Sequence, residues 1–125
     1  MSVQNNRRVV EQFWAAIKAK DLDAQDRLLA DEYVQEWPQS GERIRGKANA
    51  HALKQNYPTE RIPELRNIRG SGDIWIMETT IDYGTEVAHG VHLIELSEGK
   101  IVRETDYFGQ PFEAPAWRAT WVERM

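Results

Sequence analysis

The segment Gly99-Lys100-Ile101-Val102-Arg103-Glu104-Thr105-Asp106-Tyr107-Phe108 constrains the fold more than any other part of the chain. Gly99 follows Ser97-Glu98 as a tight-turn residue, and the β-branched and aromatic residues after it favour extended backbone. Alternation places Val102, Glu104, Asp106 and Phe108 on one face and Ile101, Arg103, Thr105 and Tyr107 on the other. Both faces mix polar with apolar side chains, so the strand cannot divide into a wet side and a dry side. Asp106 therefore either anchors a buried hydrogen-bond network or lines a cavity.

The 125 residues suffice for one hydrophobic core, and residues 1–125 read as a single domain. Hydrophobic residues at 41% and charged residues at 29% fit a globular fold rather than disorder. The net charge of -4 is built from interspersed signs, and the basic clusters Arg7-Arg8 and Arg43 with Arg45 and Lys47 are short, which argues against nucleic-acid binding. No apolar run is long enough for a membrane span, and Met1 to Arg8 lack the apolar stretch of a signal peptide, so a cytoplasmic protein is expected. The absence of cysteine excludes disulfides and thiolate chemistry. His51, His89 and His92 do not form a recognised ligand spacing, so no metal site is expected, and no cofactor either.

Val9, Val10, Phe13, Trp14 and Ile17 recur at helical spacing between Asn6 and Lys20. Asp21-Leu22-Asp23 offers an N-cap for a second short helix, and Lys47 to Tyr57 predict a third, stopped by Pro58. Short strands are expected over Glu32 to Trp37 and Arg43 to Arg45. Longer ones follow over Glu64 to Gly70, Asp73 to Asp82 and Glu86 to Ser97, ahead of the strand at Lys100. Pro111 to Met125 read as a loop with a short helical cap carrying Trp117 and Trp121. Helices first and antiparallel strands after predict an α+β fold whose bent sheet encloses a pocket against the helices.

A two-residue turn at Glu98-Gly99 sets Val91 opposite Asp106 and His89 opposite Phe108. A similar turn at Gly84-Thr85 carries Glu78 across from Val91. One row then reads Glu78, Val91, Asp106, with Trp75, Met77, His92, Ile94, Thr105 and Tyr107 on the opposite face. A bulge at Gly90 would turn Glu78 away. The second face is too apolar to leave in water, so it is expected to form a homodimer interface, the alternative being coverage by the chain's own Trp117 and Trp121.

The segment Trp37-Pro38-Gln39-Ser40-Gly41-Glu42-Arg43-Ile44-Arg45-Gly46, with Gly99-Lys100-Ile101 running into Asp106-Tyr107-Phe108, resembles SnoaL-like proteins of the nuclear transport factor 2-like superfamily. The likeness spans nearly the whole chain, from Lys20-Asp21-Leu22-Asp23 to the closing Pro111-to-Arg118 segment. It implies a cone-shaped α+β barrel, a curved mixed sheet wrapped around three helices, usually homodimeric through the outer sheet face. The scaffold hosts isomerases, epoxide hydrolases, polyketide cyclases, dehydratases and non-catalytic binders. The resemblance implies that Asp106 matches a last-strand acid or base, and that Glu36 falls where a polar residue holds water. Glu78 lies near an arginine and aspartate pair of the epoxide hydrolases, but this chain has no arginine there.

Asp106, Glu78 and Glu36 are expected to converge on a pocket walled by Trp14, Leu53, Ile76, Val91 and Phe108, with Trp117 at its mouth or at the subunit seam. Three acids in a dry cleft cannot all stay ionised, so one becomes a protonated acid beside a carboxylate. Asp106 would then act as acid or base on a small apolar or cyclic molecule, with Glu78 or His89 completing the relay. The competing reading ties Glu104 and Asp106 to Arg43, Arg45, Arg66 or Arg103 in a non-catalytic ligand-binding protein.

Overall fold

The computed structural model of the chain describes residues 3–58 and 61–125; Met1 and Ser2 of the N-terminal segment lie outside them. The amphipathic stripe of the first segment becomes α1 (Val3–Lys18), which buries Val10 and Phe13. Its start is fixed by buried Asn6, whose side-chain amide donates to Gly72 O at 2.8 Å and Asp73 Oδ1 at 3.1 Å. Asp21 caps α2 (Leu22–Leu28), its Oδ1 accepting from the Ala24 N–H at 3.0 Å. After β1 (Leu29–Trp37) and β2 (Glu42–Arg45) comes α3 (Lys47–Gln55).

Four longer strands follow: β3 (Glu64–Ser71), β4 (Ile74–Asp82), β5 (Val87–Ser97) and β6 (Lys100–Gly109), then a short 3-10 helix at Ala116–Trp121. The six strands form one curved open sheet in the order β2-β1-β6-β5-β4-β3, an α+β cone that holds the helices against its concave face. All neighbours are antiparallel except β1 and β6, which run parallel. That parallel pair brings residues about seventy positions apart into one site. The core joins Val10 and Phe13 of α1 to Tyr33, Trp75, Met77, Ile94 and Ile101 of the sheet.

The β4 to β5 register is the expected one, with Glu78 opposite Val91 and Thr80 opposite His89. The β5 to β6 register corrects the expectation. Ser97 faces Lys100 and Leu96 faces Ile101, but Glu95 then faces Arg103, leaving Val102 as an extra residue in β6. From there on the pairing slips by one, so His92 lies opposite Asp106 and Val91 opposite Tyr107. The row facing the core is therefore Met77, His92, Asp106, and the row Glu78, Val91, Tyr107 faces outward. Because side chains alternate strictly along a strand, that one residue exchanges both faces of β4 and β5 relative to β6.

Candidate functional site

Between the helices and the concave sheet face lies a cavity of about 400 Å³. Its walls are largely apolar: Phe13, Trp14 and Ile17 of α1, Leu53 of α3, and Met77 and Phe108 of the sheet. Into it project Gln35, Trp37, Thr79, His92, Glu104 and Asp106 from four strands, with Lys54 from α3.

Asp106, only 2% exposed, is held by three N–H donors. Gln35 Nε2 and Trp37 Nε1 reach its Oδ2 at 2.6 and 2.9 Å, and His92 Nδ1 lies 2.7 Å from Oδ1. Two residues back on the same face, buried Glu104 accepts from Tyr33 Oη at 3.1 Å and lies 3.5 Å from Gln35 Nε2. Burial, then the charge of Asp106 and the hydrogen bond between the two acids, pushes the Glu104 carboxyl well above the ordinary carboxylate range. Burial also works to raise Asp106, but hydrogen bonds from His92, Glu104 and Gln35 and the charge of His92 outweigh it and hold Asp106 low. Burial and the neighbouring acids raise the Tyr33 phenol, keeping it a neutral O–H donor. The arrangement is a protonated acid beside an ionised one.

Ionised Asp106 accepts from His92 Nδ1–H, which leaves Nε2 facing Thr79 Oγ1 at 2.8 Å. Gly90, opposite Thr79, makes room for that contact. A Cβ at Gly90 would sit 2.7 Å from Thr79 Oγ1 and 2.8 Å from His92 Nε2. The His92 ring meets Phe108 edge-on, centroids 5.9 Å apart. Gln35 Oε1 is buried without a hydrogen-bond partner among the described residues. Single ligand atoms of His92, Glu104 and Asp106 lie within 4.8 Å of one another, yet Tyr33, Gln35 and Trp37 already occupy oxygen lone pairs that a cation would need.

Of the residues singled out in the sequence, Asp106, Trp14, Leu53 and Phe108 line the cavity. His89 borders it but is exposed, and alternation turns its ring away from the cluster. Glu78, Ile76 and Val91 do not line it, because the extra Val102 shifts their row to the convex face. There Glu78 pairs with Arg69. Glu36 is also outside, bound to Arg43 at 2.7 Å and to Arg103. The Arg43 hydrogen bond foremost, with the charges of Arg103 and Arg43, holds its carboxyl below the usual range against a burial effect of opposite sign. Trp117 stands 75% exposed, away from the cavity mouth. Of the arginines proposed to tie up the inner acids, Arg43 and Arg103 pair instead with Glu36, and Arg66 with Glu64.

The sequence reading missed Glu104, His92, Gln35 and Thr79 as members of the site. For Glu104 the signal was present, since it shares a face with Asp106; His92 was hidden by the slipped register.

The chain matches the family model of the SnoaL-like domain over residues 10–104. An NTF-2 like protein of unknown function from Burkholderia xenovorans LB400 is 40% identical, with a TM-score of 0.86 over 98% of this chain and 96% of that one. A presumptive ketosteroid isomerase from Kribbella flavida DSM 17836 is 25% identical, with a TM-score of 0.92 over 98% and 91%. An LEH-like epoxide hydrolase of M. tuberculosis is 26% identical, with a TM-score of 0.68 over 85% and 84%. No curated protein matches at a significant level. No helix among the described residues is long and apolar enough to cross a membrane. With a family match over most of its length and these neighbours in three dimensions, the chain belongs to the SnoaL-like family of NTF2-like proteins.

Proposed function

We propose that this protein binds a small, largely apolar cyclic molecule in the cavity and moves protons on it without a cofactor, as an isomerase, cyclase or hydrolase. The observation that carries the reading is the ionised Asp106 beside a protonated Glu104 and a histidine in an otherwise apolar chamber. Asp106 is saturated by three N–H donors and the protonated Glu104, so its role is to hold charge against His92. His92 Nε2 takes the proton, directly or through the Thr79 hydroxyl, and Asp106 stabilises the imidazolium that forms. Gln35 Oε1 is the acceptor at which a ligand hydroxyl or a water would be received. His92 thereby takes the relay position first expected of Glu78 or His89. The isomerase and epoxide hydrolase among the similar structures support chemistry on a small molecule.

The saturation of Asp106 also favours a second reading, a binding protein whose carboxylates are structural. The two separate in one experiment. Ligand extracted from purified protein is returned in D₂O, and exchange of its activated C–H positions is followed by NMR. Catalysis predicts C–H exchange or conversion of the ligand with the wild type and its loss with His92→Gln; a bound ligand that neither exchanges nor is converted sinks the enzymatic reading. The exposed Ile74, Val91 and Tyr107 on the convex face support a homodimer, and monomer alone at micromolar concentration in size-exclusion chromatography would reject it.

A further inference from the structure

The Lys54 ammonium lies at the cavity wall and takes no part in the proposed proton relay. It lies 5.4 Å above the Phe13 ring centroid and donates to Gln25 Oε1 at 2.7 Å. An ammonium carries three N–H donors, and a single neutral amide satisfies one. No carboxylate among the described residues forms an ion pair with it; Asp26, Glu104 and Asp106 act on it only from farther away. Of those three, Glu104 is kept neutral by burial, Asp26 is engaged with His51 Nδ1, and the charge of Asp106 is spent on His92, Gln35 and Trp37. Burial accordingly weakens the hold of Lys54 on its proton, the response of a cation whose surroundings fall short of compensating it.

A solvated surface lysine would run its stem along apolar surface and leave its head in water. Lys54 instead carries its head onto Phe13 and α2 at the cavity wall.

We infer that the cavity takes a small apolar carboxylate, its anionic group seated on Lys54 and its ring among Phe13, Leu53, Met77 and Phe108. The inference rests on the small-molecule reading of the cavity and adds the charge of the ligand. A carboxylate at Lys54 supplies the missing counter-charge through charge-assisted hydrogen bonds. The same group directs the rest of the molecule toward His92, so Lys54 fixes which end of the ligand meets the acid and base pair.

The test uses matched probes: benzoate, cyclohexanecarboxylate and 1-naphthoate, each against its own carboxamide, measured by calorimetry and ligand-observed NMR on the intact protein. At least one carboxylate is expected to bind about tenfold tighter than its carboxamide. In Lys54→Met that preference falls to about unity while carboxamide binding persists; Lys54→Arg retains the preference. Equal affinities in the wild type, or a preference that survives in a folded Lys54→Met, overturn the inference. The wild-type comparison needs no variant, so a Lys54→Met that fails to fold leaves the test intact. Carboxamides that bind where carboxylates do not would reject the inference and leave the small-molecule cavity standing. If no probe of either kind binds, the inference and the small-molecule reading fall together.

Discussion

Two pairs of carboxylates on one sheet have opposite fates. Glu104 and Asp106 on the concave face are buried, pair with no arginine among the described residues and have their proton affinities driven apart. Glu36 and Glu78 on the convex side sit with arginines at the protein's edge with water. Chemical type is the same in both pairs; the environment decides which acid can hold a proton at neutral pH. A sheet separates two dielectric regimes by the thickness of one strand, so register becomes a chemical variable.

Deleting Val102 strikes at that separation directly. Removing the extra residue forces either the β6 turn or the acid face out of phase with β5. The expected result is loss of cooperative unfolding by circular dichroism, a cost of about 5 kcal/mol or more, comparable with the whole stability of a small domain. A deletion variant that melts like the wild type would show that the bulge does not set the two faces.

Asp106→Asn comes next. Its amide would turn an N–H toward donors that now meet a carboxylate, at a cost of about 3 kcal/mol in urea unfolding. The pH dependence sharpens the contrast. Asp106 has a depressed folded-state pKa, so its contribution is present above the unfolded carboxylate range and is lost as pH falls through the folded value. The variant should lack that acid-side loss.

Gly90→Ala should cost about 2 kcal/mol by forcing Thr79 and His92 apart, read as a lower melting temperature. An unchanged melting temperature would mean that the hydrogen bond beside Gly90 tolerates a methyl group.

Glu104→Gln should be within about 1 kcal/mol of the wild type at acidic pH, because an amide imitates a protonated acid. Glu104 has a raised folded pKa, so its contribution is complete below the unfolded value and is lost as pH rises through the folded one. The variant should therefore gain on the wild type toward alkaline pH. A constant difference across pH would show that Glu104 is ionised in the folded protein. Smallest of all, Glu78→Gln should change stability by about 0.5 kcal/mol or less, as for other exposed ion pairs.

Much of this fold was legible in the chain. The helical stripe ending in Ile17, the Asp21 cap, the Glu98-Gly99 turn and the row from Glu78 to Val91 all follow from local periodicity and turn chemistry. So did a buried acid on the last long strand, although its acidic neighbour was sought two strands away and stands two residues away. The misplaced residues Glu78, Ile76 and Val91 trace to Val102. An extra residue in a strand of β-branched and charged side chains leaves no mark in an alternating pattern, because Val102 suits either face. Glu36 is a different case: Arg43 reaches it across the β1–β2 turn, whereas Arg103 arrives from β6 only through the parallel pairing of β1 with β6.

That parallel pairing also sets a timetable. Gln35 and Asp106 are separated by 71 positions, so β1 leaves the ribosome long before the strand that completes its inner edge. At roughly 5 to 20 residues per second, the wait is about 4 to 14 s with a row of backbone amides unmet. No prematurely terminated chain can assemble the acid pair, and any holdase that guards this protein during synthesis has that edge to shield.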